Sequence, residues 1–376
     1  MSNEQVYFIS LLRDFLNNQK SEIKQVDWKI ISEYAKKHQV EAIIYYQTQN
    51  KLFQKNYYAQ IYRYAIQNEE IKRIKNILND KFLFIVKGPT VAELYPIKEL
   101  RSMGDVDIIT SDKYASAELM ESIGYRRISY DLNEVSMIKN EILFELHDKL
   151  LYSELANEEK QMKFINNFDP YVNNGMLDWN FHFIYLLLHL KKHIVNSGVG
   201  FRQFMDIAVM LNSGLLDYKY IEDKSKEIGL YKFLQTVLCL VYRWFNFDCP
   251  IRYEDRHESF FEMATNKIFE DGVFGFDSEK NKNNVAVTEY NKRGRVNRLI
   301  DLLKYIFIPY DEIIKEPKYS YVKGKKILMP WFWLSRLIRN IKSSGNVIRR
   351  YYTSKKVILQ RNKMLDDWGC LEAKDK

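Results

Sequence analysis

The chain has 376 residues, a formal net charge of +8, and 46% hydrophobic against 28% charged side chains. Together with few glycines and prolines, that describes an ordinary folded chain with room for a sizeable core, and it excludes collagen-like, low-complexity and disordered classes. Cys239, Cys249 and Cys370 form neither a CxxC pair nor a ligand cluster, which argues against a disulfide framework or a structural zinc and for a reducing compartment.

The N-terminal stretch MSNEQVYFISLLRDFLNNQ lacks a basic region followed by an apolar one, so no signal peptide is expected. From Gln5 to about Asp80 the pattern is helical. Phe8, Leu11, Leu12 and Phe15 share one face, Trp28, Ile30, Ile31 and Tyr34 a second, and Tyr62, Ile66, Ile71, Ile74 and Leu78 a third. The period then changes. Phe82–Val86 reads as a short buried strand, and Lys87-Gly88 falls at the turn into a helix opened by Pro89. Glycine at such a turn lets backbone N–H groups approach a phosphate, and Lys87 adds a point charge, although a plain tight turn fits the same residues.

Asp105–Thr110 reads as a second strand. Because alternate side chains share a face, Asp105 and Asp107 project together while Val106 and Ile108 project the other way. Two adjacent carboxylates repel unless a cation lies between them, and oxygen ligation suits Mg²⁺. Ser111 or Asp112 caps a helix through Met120 that ends at Gly124, and Tyr125–Ser129 is a third strand. In Glu141–His147, alternation puts Leu143, Glu145 and His147 on one face. If that strand lies beside Asp105 and Asp107, Glu145 completes a three-carboxylate site; otherwise it is an exposed acid on a two-faced strand.

From Trp179 the chain is helical again, with His182, His189 and His193 on one side. The spacing of His189 and His193 allows a shared ligand, but no Glu lies between them as in H-E-x-x-H, and no third ligand follows. A polar network is the better expectation. It would pair Arg202 with Asp206 and bond the histidines across the loop Asn196–Gly200, facing a nucleotide or acceptor. Further core helices span Leu215–Tyr253. The most apolar windows, Phe181–Leu190 and Leu230–Phe247, are too short or too charged to be membrane spans, so a cytoplasmic location is expected. A glycine-punctuated turn at Asp271–Phe276, a polar surface excursion at Asp277–Arg295, a helix at Arg295–Phe307 and a linker at Tyr319–Met329 follow.

Lys318–Lys363 holds 13 Lys and Arg and no acid, so the remainder of the chain carries about −5 by subtraction from +8. Three readings stay open for this aromatic, basic segment: helices packed on the body with a solvated face, membrane-surface association, or nucleic-acid contact.

The ordered set Lys87-Gly88, Tyr95-Pro96, Arg101, Gly104-Asp-Val-Asp-Ile108, Gly124-Tyr125 and Glu145-Leu-His147 resembles the nucleotidyltransferases of the DNA-polymerase-beta-like superfamily. It is most similar to a bacterial group of uncharacterised nucleotidyltransferases, in which His189, His193, Arg202 and Asp206 match a second block. The likeness covers about residues 80–210. It implies an α+β chain, with a small mixed sheet as the core of a predominantly helical protein. The expected organisation is an N-terminal helical region (1–80), the nucleotidyltransferase core (81–155), a helical domain (156–310) and the basic C-terminal segment (311–376).

The resemblance also implies the chemistry. Asp105 and Asp107 would hold one or two Mg²⁺ (or Mn²⁺) ions, with Glu145 completing the site or helping to deprotonate an acceptor hydroxyl. Lys87, Gly88, Arg101 and His147 would contact the NTP, and His189, His193, Arg202 and Asp206 would line an acceptor or nucleotide pocket. An NMP group would pass to a hydroxyl of a sugar or glycan precursor, small molecule, protein or RNA end, with release of pyrophosphate. Pro89, where the superfamily's pattern has serine, removes a hydroxyl and an N–H from the phosphate turn. The alternatives are a non-catalytic nucleotide- or glycan-binding module on the same fold, or a toxin-like modifier of tRNA or a partner protein.

Overall fold

A computed structural model describes residues 1–130, 133–152, 159–253, 255–273, 307–313, 322, 324–335 and 355–371. Four helices come first: α1 (Asn3–Leu16), α2 (Trp28–His38), α3 (Glu41–Thr48) and α4 (Gln54–Leu78). There follow β1 (Phe82–Val86), the short α5 (Gly88–Ala92), β2 (Asp105–Thr110), α6 (Lys113–Ser122), β3 (Arg126–Tyr130), β4 (Val135–Lys139) and β5 (Ile142–His147). The helical remainder comprises α7 (Glu159–Asn166), α8 (Trp179–Asn196), α9 (Phe201–Leu211), α10 (Tyr218–Glu227), α11 (Tyr231–Phe245) and α12 (Glu258–Asp271). The fold is a small mixed sheet in a helix-rich chain, as expected. Caps fix several helix starts: the side chains of Asp27, Asp112, Asp178 and Asp217 each accept backbone N–H groups of the first turn.

The sheet order is β1-β2-β5-β4-β3. β2 and β5 are parallel, and the other pairs are antiparallel. β4 was not expected from the sequence. Val135, Ser136 and Met137 are all buried, so its solvent and core faces do not alternate, and the period-two signal is lost. β4 lies outside β5, which leaves β5 free to pair with β2.

Residue alternation divides the sheet into two faces with different coverings. Ile85, Val106, Ile108, Phe144 and Leu146 bury against Ile71, Ile74 and Leu78 of α4 and Ala117 and Met120 of α6. On the opposite face Phe84, Val86 and Ile109 join the large core built by α1, α8, α9 and α11, with Phe201, Phe204 and Trp244 near its centre. The acids of β2 and β5 lie on this second face, between the sheet and α8.

Within the basic segment, the helix Lys355–Asp367 packs on the body. Trp368 just beyond it is fully buried against Phe204 and Phe260. Arg361 Nη2 donates to the carbonyls of Ile194 (2.7 Å) and Val195 (3.0 Å), satisfying acceptors that the end of α8 leaves open. The excursion at 277–295, nearly all of the expected helix at 295–307, the end of the glycine-punctuated turn and part of the 319–329 linker lie outside the described residues. Among the described residues no helix is long and apolar enough to cross a membrane.

Candidate active site

The parallel register of β2 and β5 sets Asp107 beside Glu145 and Ile109 beside His147. Ligand atoms of Asp107, Glu145 and His147 all lie within 4.8 Å of one another. His147 Nε2 is 3.2 Å from Asp107 Oδ1 and 3.6 Å from Glu145 Oε2, yet it meets neither with hydrogen-bond geometry and is a buried, unsatisfied atom. Two carboxylates and an unsatisfied imidazole nitrogen make a donor set that fits a divalent cation, with the imidazole suiting Mn²⁺ or a later transition metal better than Mg²⁺. Asp105 shares the face and lines the same cleft but stands outside this tight group. His147, expected as a nucleotide contact, therefore takes a place among the convergent donors.

Electrostatics distinguish the two acids of β2. Burial and the neighbouring Asp107 carboxylate push Asp105 up, against the pull of Lys87. Burial would also raise Asp107, but Lys87 and His147 outweigh it and hold the carboxyl well below its usual range. For His147, burial opposes charge, while Asp107 and Glu145 hold the ring's pKa up to about 9.

Lys87 follows the last residue of β1 with φ 57° and ψ −119°, a conformation that side-chain-bearing residues rarely adopt. Its N–H donates to His182 Nε2 at 3.1 Å, and its Nζ donates to Asp107 Oδ1 at 2.8 Å. Burial disfavours the ammonium, but Asp107 more than compensates and raises its pKa. At Gly88 the constraint is close packing rather than φ. A Cβ there would lie 3.1 Å from Arg101 Nη1 and from Met103.

The helical wall departs from expectation at one pair. Arg202 and Asp206, one turn apart on α9, do not pair with each other. Asp206 instead receives Arg101 in a two-point ion pair (Nε–Oδ1 3.0 Å, Nη2–Oδ2 2.7 Å) and the Tyr95 hydroxyl at 2.7 Å. The planar guanidinium of Arg101, only 5% exposed, matches both carboxylate oxygens, which an exposed contact along one helix would not do. Arg202 donates to the Ser102 carbonyl at 2.5 Å, and its Nε has no partner among the described residues.

His193 bonds His189 Nε2 to Nε2 at 2.9 Å and Ser197 Oγ through Nδ1 at 2.8 Å, so these two histidines do form the expected network with the loop. Burial and then Lys87 lower both rings' pKa values, His193's to about 3. Burial takes His182 down to about 4.

Two adjoining chambers result, about 250 and 300 Å³, sharing Lys87, Asp105, His189 and His193. The first adds Gly88, Arg101, Arg202 and Asp206; the second adds Asp107, Glu145, His147, Tyr185 and Lys192. Tyr185 was missed by sequence reasoning. It lies three residues after His182 and four before His189, so the helical period that grouped the histidines also places it on the cleft side.

Residues 24–246 match the family model described as uncharacterised nucleotidyltransferase. No curated protein and no solved structure matches the chain. The match spans more than half of the chain, which belongs to this family.

Proposed function

We propose that this member of the uncharacterised nucleotidyltransferase family transfers a nucleoside monophosphate from an NTP to a hydroxyl acceptor with divalent-cation help, on the polymerase-beta-like plan. The observation that carries this reading is the convergence of Asp107, Glu145 and His147 beside the Lys87-Gly88 turn, within the matched region. Asp105, on the same strand face but outside that tight group, would add a further carboxylate from the cleft wall. A divalent cation held there supplies charge neutralisation and orientation for the triphosphate.

The chain's own residues divide the remaining work. Lys87, Arg101 and Arg202 line the first chamber and favour the polyphosphate there. The second chamber, walled by Glu145, His147, Tyr185 and Lys192, receives the acceptor. Glu145, on the wall of that chamber, is the carboxylate placed to take the proton of an incoming hydroxyl. Stacked aromatic rings on α8 (Trp179, His182 and Tyr185) back the cleft, with Tyr185 reaching the second chamber.

The experiment is a screen of the four NTPs with Mg²⁺ or Mn²⁺ against candidate acceptors. Pyrophosphate release and NMP incorporation are both read. Cation-dependent release that disappears in the Asp105→Asn, Asp107→Asn double variant supports transfer. Nucleotide binding with no pyrophosphate release from any acceptor class would instead indicate a binding module on the same fold. Full activity in the double variant would sink the mechanism.

A further inference from the structure

Lys87 is held at both ends. Its ammonium lies on Asp107 Oδ1, a carboxylate only 2% exposed, while its N–H is received by His182 Nε2. His182 is itself fully buried, stacked 6.0 Å from Trp179 and 6.2 Å from Tyr185, and to accept an N–H its Nε2 must be unprotonated. Between these two anchors the backbone sits in the left-handed region, where glycine is the ordinary occupant. Nothing in the length of a lysine requires that conformation. The local fold is arranged to deliver an ammonium to the same carboxylate that the convergent donors would offer a cation.

We propose that Lys87 is a resident counter-ion of Asp107 that a divalent cation displaces, with His182 as the positioning residue that fixes its backbone, so that cation and nucleotide binding are coupled through one ammonium. The inference rests on the reading of the acid face as a cation site. Its physical basis is simple repulsion. A doubly charged ion on Asp107 would stand within a few ångströms of the ammonium, and the two cannot share that buried carboxylate at low dielectric. The four-carbon stem of lysine lets the ammonium leave while the pinned backbone stays. The first chamber, which Lys87 already lines with Arg101 and Arg202, is where it would go, and a polyphosphate there would hold it. Each ligand thus removes an obstacle to the other, which is reciprocal linkage.

Titration of Mn²⁺ alone into the full chain, followed by the spin-resonance signal of free ion, tests this without need of an acceptor or of turnover. Lys87→Met removes the charge and keeps the chain length. Lys87→Gly removes the charge and suits the backbone, so a folding defect in one is checked by the other. Both are expected to bind Mn²⁺ tighter than wild type by about tenfold or more. A non-hydrolysable NTP analogue should tighten Mn²⁺ binding in wild type and much less in either variant. His182→Phe, which keeps the ring and loses the acceptor, should tighten Mn²⁺ binding by a smaller factor and weaken the coupling.

Equal or weaker Mn²⁺ binding in both Lys87 variants removes the exchange and leaves the cation site standing. Unchanged affinity and coupling in His182→Phe removes the positioning role. If neither wild type nor any variant binds Mn²⁺, the reading of the acid face falls, and this inference with it.

Discussion

On the sheet wall of the cleft, His147 lies among carboxylates, and its pKa is held up to about 9 even though burial opposes its charge. On the facing helical wall, burial and the nearby Lys87 take His182 and His193 down to about 4 and 3. Burial disfavours the charged ring on both walls, and what differs is the set of neighbours each wall can line up. A parallel strand pair sets acids in rows, Asp107 against Glu145, at a spacing that a helix cannot match. A helix instead sets His182, Tyr185, His189 and His193 at three- and four-residue steps, and such a stripe carries no net charge when the rings are neutral. The sheet wall therefore gathers carboxylates, and the helical wall faces them with imidazole and phenol rings. Lys87 is anchored to both.

The comparison breaks most sharply at the acids. Asp107→Asn is expected to lower nucleotidyl transfer on the order of 10³-fold, since it removes the charge at the centre of the donor group. Pyrophosphate release measures it. Asn at His189, by contrast, should cost far less, because a neutral polar side chain replaces a neutral ring; a comparable loss there would erase the distinction between the walls.

Next in size is the ion pair that anchors the helical wall. Arg101→Ala leaves the Asp206 carboxylate buried with only Tyr95 as a partner, and should cost about 3–5 kcal/mol of stability in urea denaturation. Replacing both members with apolar residues, Arg101→Met with Asp206→Leu, should recover most of that loss. If the double variant is no better than Arg101→Ala, the pair is doing something other than balancing charge.

The sheet wall was legible in the sequence and the helical wall much less so. Phe82–Val86 and Asp105–Thr110 declare themselves by short apolar runs, and period-two alternation then dictates which acids share a face. Pairing across the fold is not written that way. Asp206 is one turn from Arg202 on α9, so local spacing favours that pair, but Arg101 arrives from a segment 105 residues earlier and offers a better fork. His147 reads as a neighbour of Glu145, and its entry into the donor group depends on the register of β2 against β5. The role of His182 is invisible until the strained turn at Lys87 is seen, because a neutral buried histidine leaves no mark on a hydropathy pattern.

The charge contrast also predicts how stability depends on pH. His38, beneath the helical body, accepts the Phe201 N–H at 3.3 Å and is lowered by burial to about 3, as His182 is to about 4. Their unfolded values lie near 6.5, so between about 3 and 6.5 the unfolded chain binds more protons and stability falls as pH falls. Each ring contributes a slope approaching 1.4 kcal/mol per pH unit, by order of magnitude, within its window. His38→Gln removes one titrating group, and the drop in stability from pH 6 to pH 4 should shrink by roughly 2–3 kcal/mol. An unchanged drop would mean that His38 is not held neutral by its burial.

The smallest effect bears on the residue between the walls. Lys87→Ala and Lys87→Gly delete the same ammonium and the same contact with Asp107, so their difference isolates the backbone at φ 57°, ψ −119°. Alanine keeps the steric conflict of a Cβ in that region and glycine removes it, at the expense of a more disordered unfolded chain. The strain term, about 1–3 kcal/mol, exceeds the entropic one, so Lys87→Gly should be the more stable variant by about 1 kcal/mol in denaturant melts. Equal stability would mean that the turn relaxes when the ammonium goes. In that case Asp107, rather than His182, is what holds the backbone in place, and the strain belongs to the sheet wall alone.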